Sequence, residues 1–263
     1  MERTIIKEIF SENLKRNKKI RVILPVDYFD SSVKKYPVLY MHDGQNLIDP
    51  SPFSNHSWEV LKTMDEMYQE IGGIIIVGID SDEFRIMEYS NYLSNSSIKR
   101  LKKQKIEDIH PEGDQYGHFI IEELKPLIDN EFRTKKDRLN TFLAGSSCGG
   151  NISIYLGLKY QDTFSCIGAF SSAYYLVKKG LYDFLDQINY RKDFYVYHDM
   201  GTKETGMFSR IYFNEQKVFQ NFISAKLPKE NIYQVIDDGA THSEEHWAKR
   251  FPNFLRFCIK KTS

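Results

Sequence analysis

Apolar residues in this chain fall into short continuous runs separated by longer stretches in which they recur every three or four positions. Tyr36-Pro-Val-Leu-Tyr-Met41 is nearly unbroken and closes on a turn-rich group, His42-Asp-Gly-Gln-Asn46. The run from Ile74 to Ile79, introduced by Gly72 and Gly73, is apolar for too long to be a half-exposed antiparallel strand and predicts an interior parallel one. Thr141 to Ala144, Cys166 to Phe170, Phe194 to His198 and Ile232 to Ile236 repeat the strand signal. Near the start, Lys18 and Lys19 lead into apolar residues up to Leu24 and then Pro25, a strand followed by a turn. Helical periodicity fills the intervals. Trp58 to Glu70 carries Val60, Leu61, Met64 and Met67 near one side, and His118 to Asn130 carries Phe119, Ile120, Leu124, Leu127 and Ile128. Asn151 to Tyr160, Tyr212 to Ala225 and His246 to Ile259 complete the set, the last with Trp247, Phe251, Phe254, Leu255 and Cys258 as its stripe.

Strands and helices alternating at this spacing predict parallel strands joined by right-handed crossovers, with helices on both faces of the sheet. The expected fold class is therefore α/β, a three-layer αβα sandwich around a mostly parallel sheet. No Pro/Gly-rich linker, compositional break or internal repeat divides residues 1–263, which predicts a single domain. Residues 81–117 and 172–192 fit the alternation least and are expected to be insertions forming pocket walls, together with 205–215.

Composition narrows the function classes. Lys plus Arg and Asp plus Glu are equal at 36 each, so no net field recruits nucleic acid or an anionic membrane. The basic run Lys99, Arg100, Lys102, Lys103 and Lys105 is offset by Glu107, Asp108, Glu112 and Asp114, the pattern of a solvated face. The N-terminal residues contain no apolar stretch of about 7 to 15 residues like that of a signal peptide, and nowhere do about 18 apolar residues follow one another. A cytoplasmic location is expected. Three cysteines, Cys148, Cys166 and Cys258, cannot all pair internally, which favours free thiols.

The sharpest local feature is Gly145-Ser-Ser-Cys-Gly149, a G-x-S-x-G sequence between an apolar strand and a helix. In that context it predicts a nucleophile elbow with Ser147 at the turn. Ser146 lies off the central position. Cys148 is expected to contribute its backbone N–H to an oxyanion hole rather than its thiol to chemistry. A serine hydroxyl needs a base, and His242, in Asp-Asp-Gly-Ala-Thr-His242 after the last strand, is the candidate, with His246 as competitor. The acid should follow the preceding strand. Glu204 is preferred because a loop residue can turn toward His242, with Asp199, Asp237 and Asp238 as alternatives. Gly44 permits a sharp turn after the early strand, making the N–H of Gln45 the second oxyanion donor, with His42 and Asp43 bracing that loop. Trp58, Tyr89 and Tyr174 are candidate substrate-binding aromatics, alongside Phe84 and Tyr175, each equally suited to a core.

These segments together resemble the esterase family of the α/β-hydrolases that includes esterase D-like enzymes, siderophore esterases and feruloyl or acetyl-xylan esterases. The resemblance is carried by RVILP at 21–25, YPVLYMHDGQNLID at 36–49, VGID at 77–80, Arg85 with Glu88-Tyr89, GSSCGG at 145–150, GTKE at 201–204 and DGATHSEEHWAKRFPNFLRF at 238–257. It implies a carboxylic-ester hydrolase acting on a small-molecule ester without cofactor or metal, its serine matching Ser147 and its histidine His242. The family commonly has Met where this chain has Cys148. The same machinery also serves thioesterases, peptidases and acyltransferases, and a silent binding protein on this scaffold is the reading from another class.

Overall fold

The computed structural model describes residues 2–52, 54–103, 109–204 and 209–262. Its strands are β1 (Thr4–Ser11), β2 (Arg16–Ile23), β3 (Val38–His42), β4 (Ile75–Ile79), β5 (Thr141–Ser146), β6 (Cys166–Phe170), β7 (Tyr195–Gly201) and β8 (Ile232–Asp237). They form one sheet in the order β1-β2-β4-β3-β5-β6-β7-β8. β2 runs antiparallel to both β1 and β4, and every pairing from β4 to β8 is parallel. This is the α/β-hydrolase sandwich, with an antiparallel edge on a parallel sheet.

The helices are α1 (Val60–Glu66), α2 (Tyr68–Ile71), α3 (Arg85–Glu88), α4 (Asn95–Lys103), α5 (Gly113–His118), α6 (Lys125–Glu131), α7 (Cys148–Lys159), α8 (Lys178–Gln187), α9 (Ser209–Ser224) and α10 (Glu244–Thr262). The period-2 alternation of each strand splits its side chains between two cores. Val38, Tyr40, Ile75, Val77 and Leu143 point to one side, against Ile120 and Leu124 from the turns between α5 and α6, Ile152 and Leu156 from α7, and Phe219 from α9. Leu39, Met41, Ile76 and Phe142 point to the other, against Val60 and Met64 of α1 and Phe251, Phe254 and Leu255 of α10. All five residues of β3 and of β4 are buried, which is why both read as unbroken apolar runs.

Several elements depart from the sequence expectation. The N-terminal region holds two strands, because β1 is an edge strand that leaves Ile6 and Phe10 each 55% exposed and so lacks a clean polar face. The helix expected over 58–70 is divided at Met67 and preceded by Glu59 in the left-handed region. The helix expected from His118 begins at Gly113 and passes through a π-helical turn, Phe119–Leu124. Residues 81–117 and 172–192 are not bare loops, since they contain α3, α4, α5 and α8. Residues 104–108, with Lys105, Glu107 and Asp108 of the charged run, and 205–208 of the third expected wall lie outside the described residues. Among the described residues no helix is long and apolar enough to cross a membrane.

Candidate active site

Ser147 stands between β5 and α7 with φ 58° and ψ −120°, a conformation that costs a non-glycine residue free energy and persists only when its surroundings enforce it. The enforcement is visible. Its N–H donates to Phe170 O at 2.9 Å, at the end of β6, and its carbonyl accepts from Ala173 N–H at 3.2 Å. Strand and helix also approach too closely for side chains: a Cβ on Gly145 would lie 2.8 Å from His42 Cδ2 and 2.9 Å from the Gly149 carbonyl carbon. Ser147 remains half-buried and Ser146 is buried in β5. Cys148 is the first residue of α7, whose opening N–H groups have no acceptor within the helix and carry its positive dipole end.

Glu204 lies in the turn after β7, and its side chain is fully buried. Its Oε2 is 2.6 Å from His242 Nδ1, while Oε1 accepts hydrogen bonds from Ser171 Oγ at 2.7 Å and from the Gly201 N–H. The two loops are also stapled through the backbone, His242 N–H to Glu204 O at 3.0 Å and Lys203 N–H to Ala240 O at 2.9 Å. Burial would raise the Glu204 carboxyl, but His242, the Gly201 N–H and Ser171 together hold it below its ordinary value. An ionised carboxylate can only accept, so Nδ1 of His242 carries its proton and Nε2 presents a lone pair. Trp247 and Tyr212 meet the imidazole edge-on at ring-centroid distances of 5.0 and 5.6 Å.

The other candidate acids are engaged elsewhere. Asp199 is buried in a bidentate pair with Arg250, Nε to Oδ2 at 2.8 Å and Nη2 to Oδ1 at 3.1 Å, and Tyr197 Oη donates to Oδ2 at 3.0 Å. Burial outweighs Arg250 and raises the Asp199 carboxyl above its ordinary value. Asp237 accepts from Arg250 Nη1 at 3.1 Å and Asp238 from Thr202 Oγ1 at 2.9 Å. His246 has Nδ1 within 3.1 Å of Thr241 Oγ1 and 3.0 Å of Ser243 Oγ, a local arrangement at the start of α10.

The turn after β3 is braced by charge. Asp43, at φ 57°, receives Arg85 through Nε–Oδ1 at 2.7 Å and Nη2–Oδ2 at 2.8 Å, plus Ser81 Oγ at 2.7 Å. Burial opposes ionisation of Asp43, but Arg85 and Ser81 win and lower its carboxyl. The Gln45 side chain is clamped by Ser81, donating to its Oγ at 2.8 Å and accepting from its N–H at 3.0 Å. His42 is buried with Nδ1 2.8 Å from Tyr116 Oη, and burial pushes its imidazole down to about 3.

Trp58, Tyr89 and Tyr174 are each 1% exposed and lie in the cores rather than on an open wall. Trp58 stacks on Trp247 at 5.7 Å and meets Phe170 edge-on at 4.9 Å. Tyr89 Oη accepts the Asp43 N–H at 3.0 Å, and Tyr174 stacks on Phe219 at 4.9 Å. The aromatic that does reach His242 from the α9 wall is Tyr212, whose Oη is 3.3 Å from Tyr175 Oη. Sequence reasoning missed Ser171, Arg250 and Tyr212. The available signal was Arg250 inside an otherwise apolar helix stripe, since a buried guanidinium requires a buried partner.

The family model described as "Putative esterase" matches residues 11–258, and the chain belongs to that esterase family. The chain is similar to an uncharacterized protein, YbbA, of Bacillus subtilis (strain 168), 23% identical over 97% of this chain and 98% of the relative. It is also similar to an endo-1,4-beta-xylanase/feruloyl esterase of Xylanibacter ruminicola, 26% identical over 64% of this chain but only 21% of that larger protein. Among solved structures, an IroE-like serine hydrolase from Shewanella oneidensis superposes with a TM-score of 0.76 at 19% identity, covering 96% of this chain and 79% of the other.

Proposed function

We propose that this protein is a serine esterase that cleaves a small carboxylic ester through an acyl-Ser147 intermediate. What supports the reading is an enforced, strained Ser147 at a helix N-terminus, together with a His242 imidazole whose Nδ1 is tied to Glu204 at 2.6 Å. In the proposed cycle the Oγ of Ser147 attacks the ester carbonyl carbon as His242 Nε2 takes the hydroxyl proton. The N–H groups of Cys148 and Gln45 receive the tetrahedral oxyanion, loss of either costing on the order of 3 kcal/mol in such sites. The bond to the alcohol oxygen then breaks, and His242 returns the proton to that oxygen. Water, deprotonated by the same nitrogen, releases the acid and restores Ser147.

Glu204 keeps the proton of His242 on Nδ1 and stabilises the imidazolium formed at each step. Tyr212 and Tyr175 are the aromatic wall in reach of the acyl or alcohol group. Feruloyl esterase among the names of the relatives supports starting the substrate search with aromatic acyl esters. The test is intact mass after reaction with a small fluorophosphonate, for wild type, Ser147→Ala and His242→Ala. One adduct mapping to Ser147, lost in the first variant and strongly slowed in the second, is expected. Equal labelling of Ser147→Ala would refute the assignment. A panel of oxygen esters, acyl thioesters and amides then separates esterase from thioesterase and peptidase.

A further inference from the structure

Glu204 is held on the side away from His242 by a hydroxyl whose own bonding leaves it no choice. Ser171, the residue after β6, has φ 45°, and its N–H donates to both the carbonyl and Oδ1 of Asp199, at 3.0 and 3.1 Å. Its Oγ has three partners: Trp247 Nε1 at 2.9 Å, Arg250 Nη2 at 3.0 Å and Glu204 Oε1 at 2.7 Å. A serine hydroxyl offers one proton and two lone pairs, whereas indole and guanidinium nitrogens only donate. Trp247 and Arg250 therefore occupy both lone pairs, and the Ser171 proton must point at Glu204. Arg250 cannot swing away, because Asp199 grips its Nε and Nη2 and Asp237 its Nη1. Ser171 and Arg250 are 1% and 2% exposed.

We propose that Ser171 is the positioning residue of the acid, locking the Glu204 carboxylate in the orientation in which Oε2 meets His242 Nδ1. This inference rests on the esterase reading above. The hydroxyl touches no reacting atom. It acts through Glu204, and the charged groups around it, Asp199, Asp237 and Arg250, act through the hydroxyl. Without the hydroxyl, Oε1 keeps only the Gly201 N–H, so the carboxylate is held less firmly and its negative charge, shared with one donor fewer, acts more strongly on the imidazole.

The test uses the full chain with Ser171→Ala and, because that variant also strands the Trp247 and Arg250 donors, Trp247→Phe, which keeps an aromatic ring and removes one donor. Rates of fluorophosphonate labelling and the pH profile of kcat/KM on 4-nitrophenyl acetate are compared alongside thermal melts. For Ser171→Ala the adduct still maps to Ser147. The expected result is that labelling and kcat fall about 10- to 100-fold, the effect of losing one hydrogen bond to a charged group, with KM within a few-fold. The acid limb of the profile moves to higher pH, and Trp247→Phe moves it the same way by less.

A folded Ser171→Ala with an unshifted limb overturns the proposal, whether its kcat is unchanged or uniformly reduced, since a merely structural role lowers activity without moving the limb. If Ser171→Ala does not fold, an unshifted limb in Trp247→Phe overturns it. Absence of any Ser147 adduct on wild type overturns the esterase reading and this inference together, whereas labelled wild type with indifferent variants removes only this inference.

Discussion

Glu204→Gln is the substitution whose consequence can be worked through atom by atom. Glutamine keeps the volume but replaces one acceptor oxygen with an amide NH2. The Oε1 position faces two donors, Ser171 Oγ and the Gly201 N–H, so the glutamine carbonyl must lie there. Its NH2 is then driven toward His242 Nδ1, which in wild type stands 2.6 Å from Oε2. That nitrogen must now accept, so the ring proton moves to Nε2, the atom that has to take the proton of Ser147. A wrong tautomer costs about 10⁴-fold in kcat in a Ser-His-Asp triad, or about 5.5 kcal/mol of barrier. Folding stability near neutral pH should fall by about 1–3 kcal/mol, because the amide brings two N–H donors where the carboxylate had none and only one of them can reach His242 Nδ1. Below that range the two proteins diverge. The Glu204 carboxyl has a lowered folded value, so its contribution is present above its ordinary 4.5 and disappears as pH falls through the folded value; the glutamine variant lacks that component. Ester hydrolysis, fluorophosphonate labelling and urea melts at two pH values test each part. A folded Glu204→Gln within tenfold of wild-type kcat would refute the tautomer argument and return the search to another acid.

Three further outcomes follow from buried features. Arg250→Met leaves Asp199 buried without its cation and should cost about 3–5 kcal/mol at neutral pH by urea denaturation. Because the Asp199 carboxyl is already raised, the deficit should shrink on acidification as the acid becomes neutral; a deficit that grows would contradict this. His42 and His198 are buried, their imidazoles pushed down to about 3 and about 4, so the unfolded chain binds protons that the folded one refuses. Their share of stability is complete above about pH 6.5, and each removes up to about 2 kcal/mol between there and pH 5, so a flat stability profile over that range would refute it. Gly44→Ala places a Cβ 2.6 Å from the Gly78 carbonyl carbon and 2.8 Å from the Ile79 nitrogen, both backbone atoms of β4. A loss of about 1–3 kcal/mol with reduced esterase activity is expected, and a wild-type melt would show that the turn tolerates displacement.

The parallel core of the sheet was legible because strands covered on both faces must be apolar throughout. β3, β4 and β5 announce themselves in this way, whereas β1, with one side open to solvent and Ile6 and Phe10 exposed upon it, does not. The elbow was legible for a local reason. Only small residues fit where β5 turns into α7, and that requirement is written in five adjacent letters around Ser147. The choice among Glu204, Asp199, Asp237 and Asp238 could only be ranked, with Glu204 first as a loop residue, since all four lie within or just beyond the ends of β7 and β8 and their directions depend on partners elsewhere in the chain.

Sequence by itself determined the layer order, the position of Ser147 and the loop that carries His242, because each depends on contacts between near neighbours or on the two-fold and 3.6-fold periods of the backbone. Only the tertiary structure decided which acid turns to the histidine and what holds it. Arg250 arrives from α10 to claim Asp199, Ser171 arrives from the end of β6 to claim Glu204, and Trp58, Tyr89 and Tyr174 are drawn into the cores by partners far away in the chain. Hydrogen bonds and ion pairs between distant residues leave no periodic trace. They are satisfied only when folding brings together donors and acceptors that burial forbids from standing alone.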